Sequence, residues 1–431
     1  MNTASLPVKG SMTKVSRQAF GYLITAALIT IAGCSKTPSD AGETATPTDS
    51  EAVTYTNAYW YSTRGQQTGF TLGERYVSGN RFVATPIPGA KEIDLGGAFV
   101  VPPFGEAHNY SVDGPVTAHT AQHYIEQGVF YYKNPISTRA VAEPMLEHWR
   151  QANTLDLSLS FGGIVLDEDY PRDLYRSLTA YGLYADIDSE QLDGQLFFDV
   201  ATEGNFDAEW ATILAGKPDF LQLYLLDHTG IETEDRFRQV VTRAQQAGLR
   251  TSVRIKTVED LALALDAGAD EATALPAYDL EIARNPTIAA ISDELIREMA
   301  KQRFVVVAAD SFSERRDYSP SDLDILIARQ TSDLQRLHRA EVPLAIGSSS
   351  YFRSPWDEVQ ALKRQGVFDD ATLTRLWIET PALSIFPERN IGRLEPDYEA
   401  SFLALRCNPL VSINCTQSIL LGVKEGLTVI D

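Results

Sequence analysis

From His108 onward, short apolar runs alternate with longer helical stretches, and this rhythm constrains the fold more than any other feature of the chain. Residues 220–226 read as a buried strand, and Phe237, Val240, Val241 and Ala244 then fall on one helical face. A second unit follows at once. Residues 251–255 supply the strand, Thr257 stands three residues before Asp260 as a capping pair, Leu261, Ala264 and Leu265 form the apolar face, and Gly268 suits the helix end. Further strands are expected at 129–132, 157–161, 272–275, 304–308 and 344–347, with Leu323, Ile327, Leu334 and Leu337 marking a long amphipathic helix before the last. Counted from His108, about eight strands emerge, the number that closes a (β/α)8 TIM-like barrel. No glycine-rich dinucleotide fingerprint argues for an open doubly wound sheet.

The flanks have a different texture. Residues 52–101 are aromatic and β-branched, with turn signals at Arg64-Gly65, Ser78-Gly79-Asn80 and Gly96-Gly97, and read as a few antiparallel strands. Short strands return after residue 390, at 401–405 and 428–430. The expected organisation is therefore an α/β chain: a barrel over 102–389, beside one small β-sandwich built from 52–101 and 390–431 together.

The first residues belong to neither unit. Lys9, Lys14 and Arg17 precede an apolar run over 22–31 that ends in Ile31-Ala32-Gly33-Cys34, the pattern of a secretory signal over residues 1–33. The run is shorter than the roughly 20 residues a membrane span needs. Its end resembles a bacterial lipobox, which implies lipidation of Cys34 and a lipid membrane as partner through an acyl anchor. Ser35 follows the cysteine instead of Asp, and the resemblance then implies an outer-membrane lipoprotein of the cell envelope, facing the periplasm. Residues 34–51 are small, polar and acidic and read as a flexible tether. Losing the signal removes three positive charges and no negative one, moving the net charge from −21 to −24. So acidic a chain offers no basic face for nucleic acid. The remaining cysteines, Cys407 and Cys415, are expected to form a disulfide in that oxidising compartment.

The run Val101-Pro102-Pro103-Phe104-Gly105-Glu106-Ala107-His108-Asn109-Tyr110 has the outline of a metal-hydrolase motif whose second histidine is Tyr110. It follows Gly73-Glu74-Arg75-Tyr76-Val77-Ser78-Gly79 and Asp94-Leu95-Gly96-Gly97-Ala98-Phe99-Val100, and precedes Thr380-Pro381-Ala382 and Asn390-Ile391-Gly392-Arg393-Leu394-Glu395-Pro396. In this order the segments resemble the amidohydrolase superfamily, specifically metal-dependent hydrolases with a composite sandwich, from about Leu72 to the C-terminus. That resemblance implies one or two divalent metals held at the barrel mouth by imidazoles and a carboxylate or carboxylated lysine. The ion activates a water whose proton passes to an aspartate on the last strand.

Matched position by position, the chain keeps one of six such residues. His108 is retained, while Tyr110, Gln222, Arg254, Ala274 and Ser349 stand where a histidine, the bridging lysine, two further histidines and the aspartate are implied. Glutamine cannot be carboxylated, and a guanidinium repels a cation. The implied protein is a degenerate member, a pseudoenzyme without metal or other cofactor, acting in small-molecule binding or as a scaffold. His108, Tyr110, Gln222, Arg254 and Ser349 would converge as a polar set able to take an anion. A blander expectation has Arg254 filling the former metal hole by pairing with Glu106. Ser348, Ser349 and Ser350 form a run without a histidine or acid beside it in sequence. The rival reading is an active hydrolase of C–N (non-peptide amide) or related bonds. It would use one atypical metal, zinc by preference, held by His108 with a residue such as His228 or Asp227. The other histidines, His119, His123, His148 and His338, lie away from the matched positions.

Overall fold

The computed structural model describes residues 52–64, 67–112, 117–137, 142, 151–166, 176, 195–201, 203–226, 230–276, 280–285, 290–309, 318–350 and 353–431. The signal, Cys34 and the tether lie outside these residues, as do His148, Asp227 and His228. No helix among the described residues is long and apolar enough to cross a membrane.

Both sequence flanks enter one mixed sheet. The strands β1 (Val53–Arg64), β2 (Gln67–Ser78) and β3 (Arg81–Val83) pair antiparallel, with the second turn at Gly79, φ 61°. The next strands correct the expectation of an antiparallel run, because β4 (Lys91–Asp94) and β5 (Phe99–Val101) both lie parallel to β1. Pro86 and Pro88 have no N–H to donate, so the chain leaves the β3 edge and returns along the other side of β1. A bulge in β1 at Asn57 (φ 54°) matches the break between β4 and β5, and Asn57 Nδ2 donates to Asp94 Oδ1 at 2.8 Å. Tyr55, Trp60, Phe82 and Phe402 fill the aromatic core of this flanking sandwich.

The middle of the chain closes into the barrel. Its first three strands are β6 (Phe104–Glu106), β7 (Val129–Asn134) and β8 (Asp156–Leu159). Short strand β9 (Gly163–Val165) follows the third strand, and β10 (Phe197–Asp199) lies parallel beside β9. The remaining five are β11 (Phe220–Leu225), β12 (Arg250–Ile255), β13 (Glu271–Thr273), β14 (Val305–Ala308) and β15 (Leu344–Ile346), all parallel neighbours in that order. These are the eight barrel strands among the described residues. The seam between eighth and first is bridged by Ala107 N–H to Ile346 O (2.9 Å) and Ser349 N–H to His108 O (2.7 Å). Every residue of β7, β11 and β14 is buried, as expected of parallel strands covered on both faces.

Local chemistry fixes the surrounding helices. In helix Val258–Asp266 the Thr257 side chain accepts from Asp260 N–H while Asp260 reaches back to the Thr257 amide, and Gly268 follows with φ 80°. Helix Ile231–Gln246 buries Phe237, Val240, Val241 and Ala244, the face its spacing marks out.

The remaining strands, β16 (Phe402–Leu405), β17 (Ile419–Lys424) and β18 (Leu427–Ile430), complete the flanking sheet through pairing of β16 with β5. Cys407 and Cys415 are bridged just beyond β16. Sheet and barrel are joined by charge, for Asp156 on β8 accepts from both Arg389 and Lys424 at 2.7 Å.

Candidate functional site

Five of the six positions singled out in sequence lie at or just past the C-terminal ends of barrel strands, the mouth where this architecture carries its sites, whereas Gln222 sits mid-strand, level with Ser252 and two residues below the level of Arg254. His108 and Tyr110 follow β6, Gln222 lies within β11, Arg254 within β12, Ala274 just past β13, and Ser349 just past β15. At Ala274 (φ 69°) and Ser349 (φ 50°) the backbone turns left-handed, a conformation that costs non-glycine residues energy and clusters at ligand sites.

His108 is buried and both ring nitrogens are engaged. Nε2 lies 2.9 Å from Tyr110 Oη and Nδ1 3.4 Å from Thr273 Oγ1, whose other neighbour is Ser252 Oγ at 3.3 Å. Burial above all, then the Arg254 and Lys133 cations, holds His108 well below its ordinary value of 6.5, so the ring is neutral. Arg254, half-buried, donates from Nη1 to Ser349 Oγ at 3.1 Å and so ties the fifth strand to the eighth. Gln222 is buried; its amide nitrogen donates to Leu223 O at 3.0 Å, and its Oε1 has no hydrogen-bond partner.

Arg254 does not pair with Glu106, contrary to that expectation. Glu106 turns into the seam between first and eighth strands, where donors already surround it. Oε1 accepts from the amides of His108 (3.0 Å) and Ser348 (2.9 Å), and Oε2 from Ser348 Oγ (2.6 Å) and Asn109 Nδ2 (3.4 Å). The serine run thus does have an acid beside it, one that sequence proximity could not show. Burial pushes the Glu106 carboxyl up to about 8 despite these four donors.

The internal ion pair lies elsewhere. Lys133 on β7 reaches across the barrel to Glu271 on β13 at 2.7 Å, with both side chains essentially shielded from water. Ser384, in the turn Pro381–Ile385 after helix Asp370–Thr380, donates to the second Glu271 oxygen at 2.7 Å. The Lys133 ammonium also lies over the Phe220 ring, 4.3 Å from its centre. Sequence reasoning missed this cation. Its only signal was a lysine inside the buried run Val129-Phe130-Tyr131-Tyr132-Lys133.

Divalent ions at such a mouth are held by several imidazoles and carboxylates. At the other five matched positions stand an amide, a guanidinium, a methyl group and two hydroxyls, and among the described residues no three His, Cys, Asp or Glu side chains converge to hold a metal. These residues do not fit the ion.

Opposed titrations give the site a measurable signature. Glu106 is raised, so its contribution is full below the ordinary value of 4.5 and is lost as pH climbs toward 8; His108 is lowered, so its contribution is present above 6.5 and lost as pH falls. Where both act their slopes oppose. Stability measured by urea unfolding is therefore expected to be flattest between pH 4.5 and 6.5 and to decline from 6.5 toward 8. Glu106→Gln should remove the alkaline decline, and an unchanged decline in that variant would contradict the assignment.

No protein-family model matches the chain, and no curated protein matches it. Solved structures do. A protein described as an amidohydrolase superposes with a TM-score of 0.67 at 16% identity, covering 88% of this chain and 99% of its own. A putative prolidase from Bifidobacterium longum gives 0.67 at 15% identity, with 89% and 95% covered. Molinate hydrolase gives 0.69 at 14% identity, also with 89% and 95% covered. At such identities the likeness is one of fold: the chain has the barrel and flanking sandwich of amidohydrolase-type structures.

Proposed function

We propose that this chain is an amidohydrolase-like protein that has given up metal-dependent hydrolysis, needs no cofactor, and binds a small anionic molecule at the barrel mouth. In this reading it is a lipoprotein anchored through Cys34 to the outer membrane and facing the periplasm. The observation that carries the binding reading is Arg254. A guanidinium held by Ser349 stands beside a neutral imidazole, and guanidinium binds carboxylates and phosphates bidentately. Gln222 lies one layer deeper, level with Ser252, and is left out of the proposed anion site.

Thermal shift against small carboxylates, inorganic phosphate and dipeptides tests this. A binder near 100 times its Kd is expected to add about 2.7 kcal/mol. Arg254→Ala should weaken that binder by roughly 10–100-fold, the worth of a hydrogen bond to a charged group. An identical response in wild type and Arg254→Ala would reject the anion site. The second reading, a hydrolase of C–N or related bonds with one zinc held by His108 together with His228 or Asp227, draws its support from relatives described as a prolidase and a hydrolase.

A further inference from the structure

At the end of the barrel opposite the mouth, the N-terminal ends of the last strands and the β1–β2 hairpin enclose a cleft of about 860 Å³. Thr68, at the hairpin end of β2, stands on one wall. The others carry Arg303 before β14, Arg339 at the end of helix Pro320–Arg339, Glu341 before β15, and Arg375 with Glu379 on helix Asp370–Thr380. A neighbouring cleft of about 390 Å³ shares Arg303, Pro343 and Leu383 with the first, so the two form one groove. It adds Arg250, the first residue of β12, and Asp270.

Four guanidinium groups thus line one groove in a chain whose net charge is −21. The carboxylates beside them hold them loosely. Arg375 and Glu379 are 3.9 Å apart and Arg250 and Asp270 3.8 Å, while Asp270 already accepts from the Thr251 amide at 2.8 Å. Arg250 Nε is buried with no hydrogen-bond partner. Arg303 and Arg339, both exposed, form no ion pair among the described residues. The backbone also marks this face. Gly248 and Gly268 make the left-handed turns before β12 and β13, but before β14 and β15 the same conformation falls on Arg303 (φ 55°) and Glu341 (φ 61°). Charged side chains are kept where glycine would relieve strain.

We infer that this groove is a second binding site, separate from the mouth, for the phosphate group of a small phosphorylated molecule. A carboxylate is matched by the fork of one guanidinium, whereas a phosphate ester carries about −1.5 to −2 charge and three strong acceptor oxygens, which call for several. Glu341, Glu379 and the acidity of the whole chain repel an extended anionic surface such as a membrane or a nucleic acid. The occupant is therefore small.

Calorimetric titration of the full chain with inorganic pyrophosphate, at fixed pH and ionic strength, tests the site. Saturable binding is expected in the wild type and in Arg254→Ala, where the mouth no longer offers its cation. Arg303→Ala combined with Arg339→Ala should weaken it by roughly 10–100-fold, the worth of hydrogen bonds to a charged group, and should leave the fold intact because both side chains are exposed. Arg364→Ala combined with Arg406→Ala removes as much charge from exposed positions outside the groove and should leave the affinity nearly unchanged. No saturable binding in the wild type overturns the site. So does equal weakening by the two pairs, which would reduce the effect to bulk charge. Binding that survives loss of Arg303 and Arg339 but disappears in Arg254→Ala would belong to the mouth and overturns the groove alone.

Discussion

Replacing Glu271 by alanine is expected to destabilise the fold by about 3–5 kcal/mol, the cost of leaving one member of a buried ion pair alone. Its partner Lys133 lies inside the barrel with its side chain 3% exposed, and the ammonium also meets the Ser384 carbonyl at 3.1 Å, the Ser384 hydroxyl at 3.5 Å and the Phe220 ring. Burial already pulls Lys133 below its ordinary value, and Glu271 is what opposes that. Without the carboxylate the lysine must lose its proton or draw water into the barrel. Removing both charges, as in Lys133→Met with Glu271→Leu, should recover most of the loss, because the pair also costs desolvation. Urea unfolding of the two variants separates the cases. A single-variant loss below about 1 kcal/mol, the size of an exposed pair, would mean that the interior is wet.

Trp377→Ala is expected to cost a similar 3–5 kcal/mol. The indole is fully buried in helix Asp370–Thr380, stacks on Phe104 of the first strand with ring centres 4.0 Å apart, and donates from Nε1 to Gly105 O at 3.0 Å. Truncation opens a cavity and orphans a buried carbonyl beneath the strand that carries Glu106 and His108. Phenylalanine keeps the stacking but loses the donor, so Trp377→Phe should fall between wild type and alanine. Equal stability of Trp377→Phe and wild type would show that the hydrogen bond contributes nothing.

Much of the barrel was legible in the sequence because its chemistry is local. Parallel strands buried on both faces leave unbroken apolar runs, and 220–226 or 304–308 need no knowledge of their neighbours to be recognised. Capping at Thr257 and Asp260 is likewise decided within four residues. What was not legible depends on closure. Lys133 and Glu271 are separated by 138 positions and meet only because the second and sixth strands face each other across the same interior. Glu106 was assigned to Arg254, the nearest cation in the imagined mouth, whereas the seam brings Ser348 from 242 positions away. The parallel placement of β4 and β5 was hidden for the same reason, since turn residues mark where a chain bends and not which edge it rejoins. At the candidate site the residue types were legible and their pairing was not. Even the contact of His108 with Tyr110, only two residues on, emerged from the structure alone.

In the proposed function Arg254 stands at the mouth as a fixed cation in place of a metal, and elemental analysis is the most direct test of that proposal. The protein, expressed in zinc-, manganese- and iron-supplemented medium, purified without chelators and desalted, is expected to carry none of these ions in stoichiometric amount and to keep its melting temperature in EDTA. Stoichiometric zinc, manganese or iron that is lost in a His108→Ala variant would contradict it.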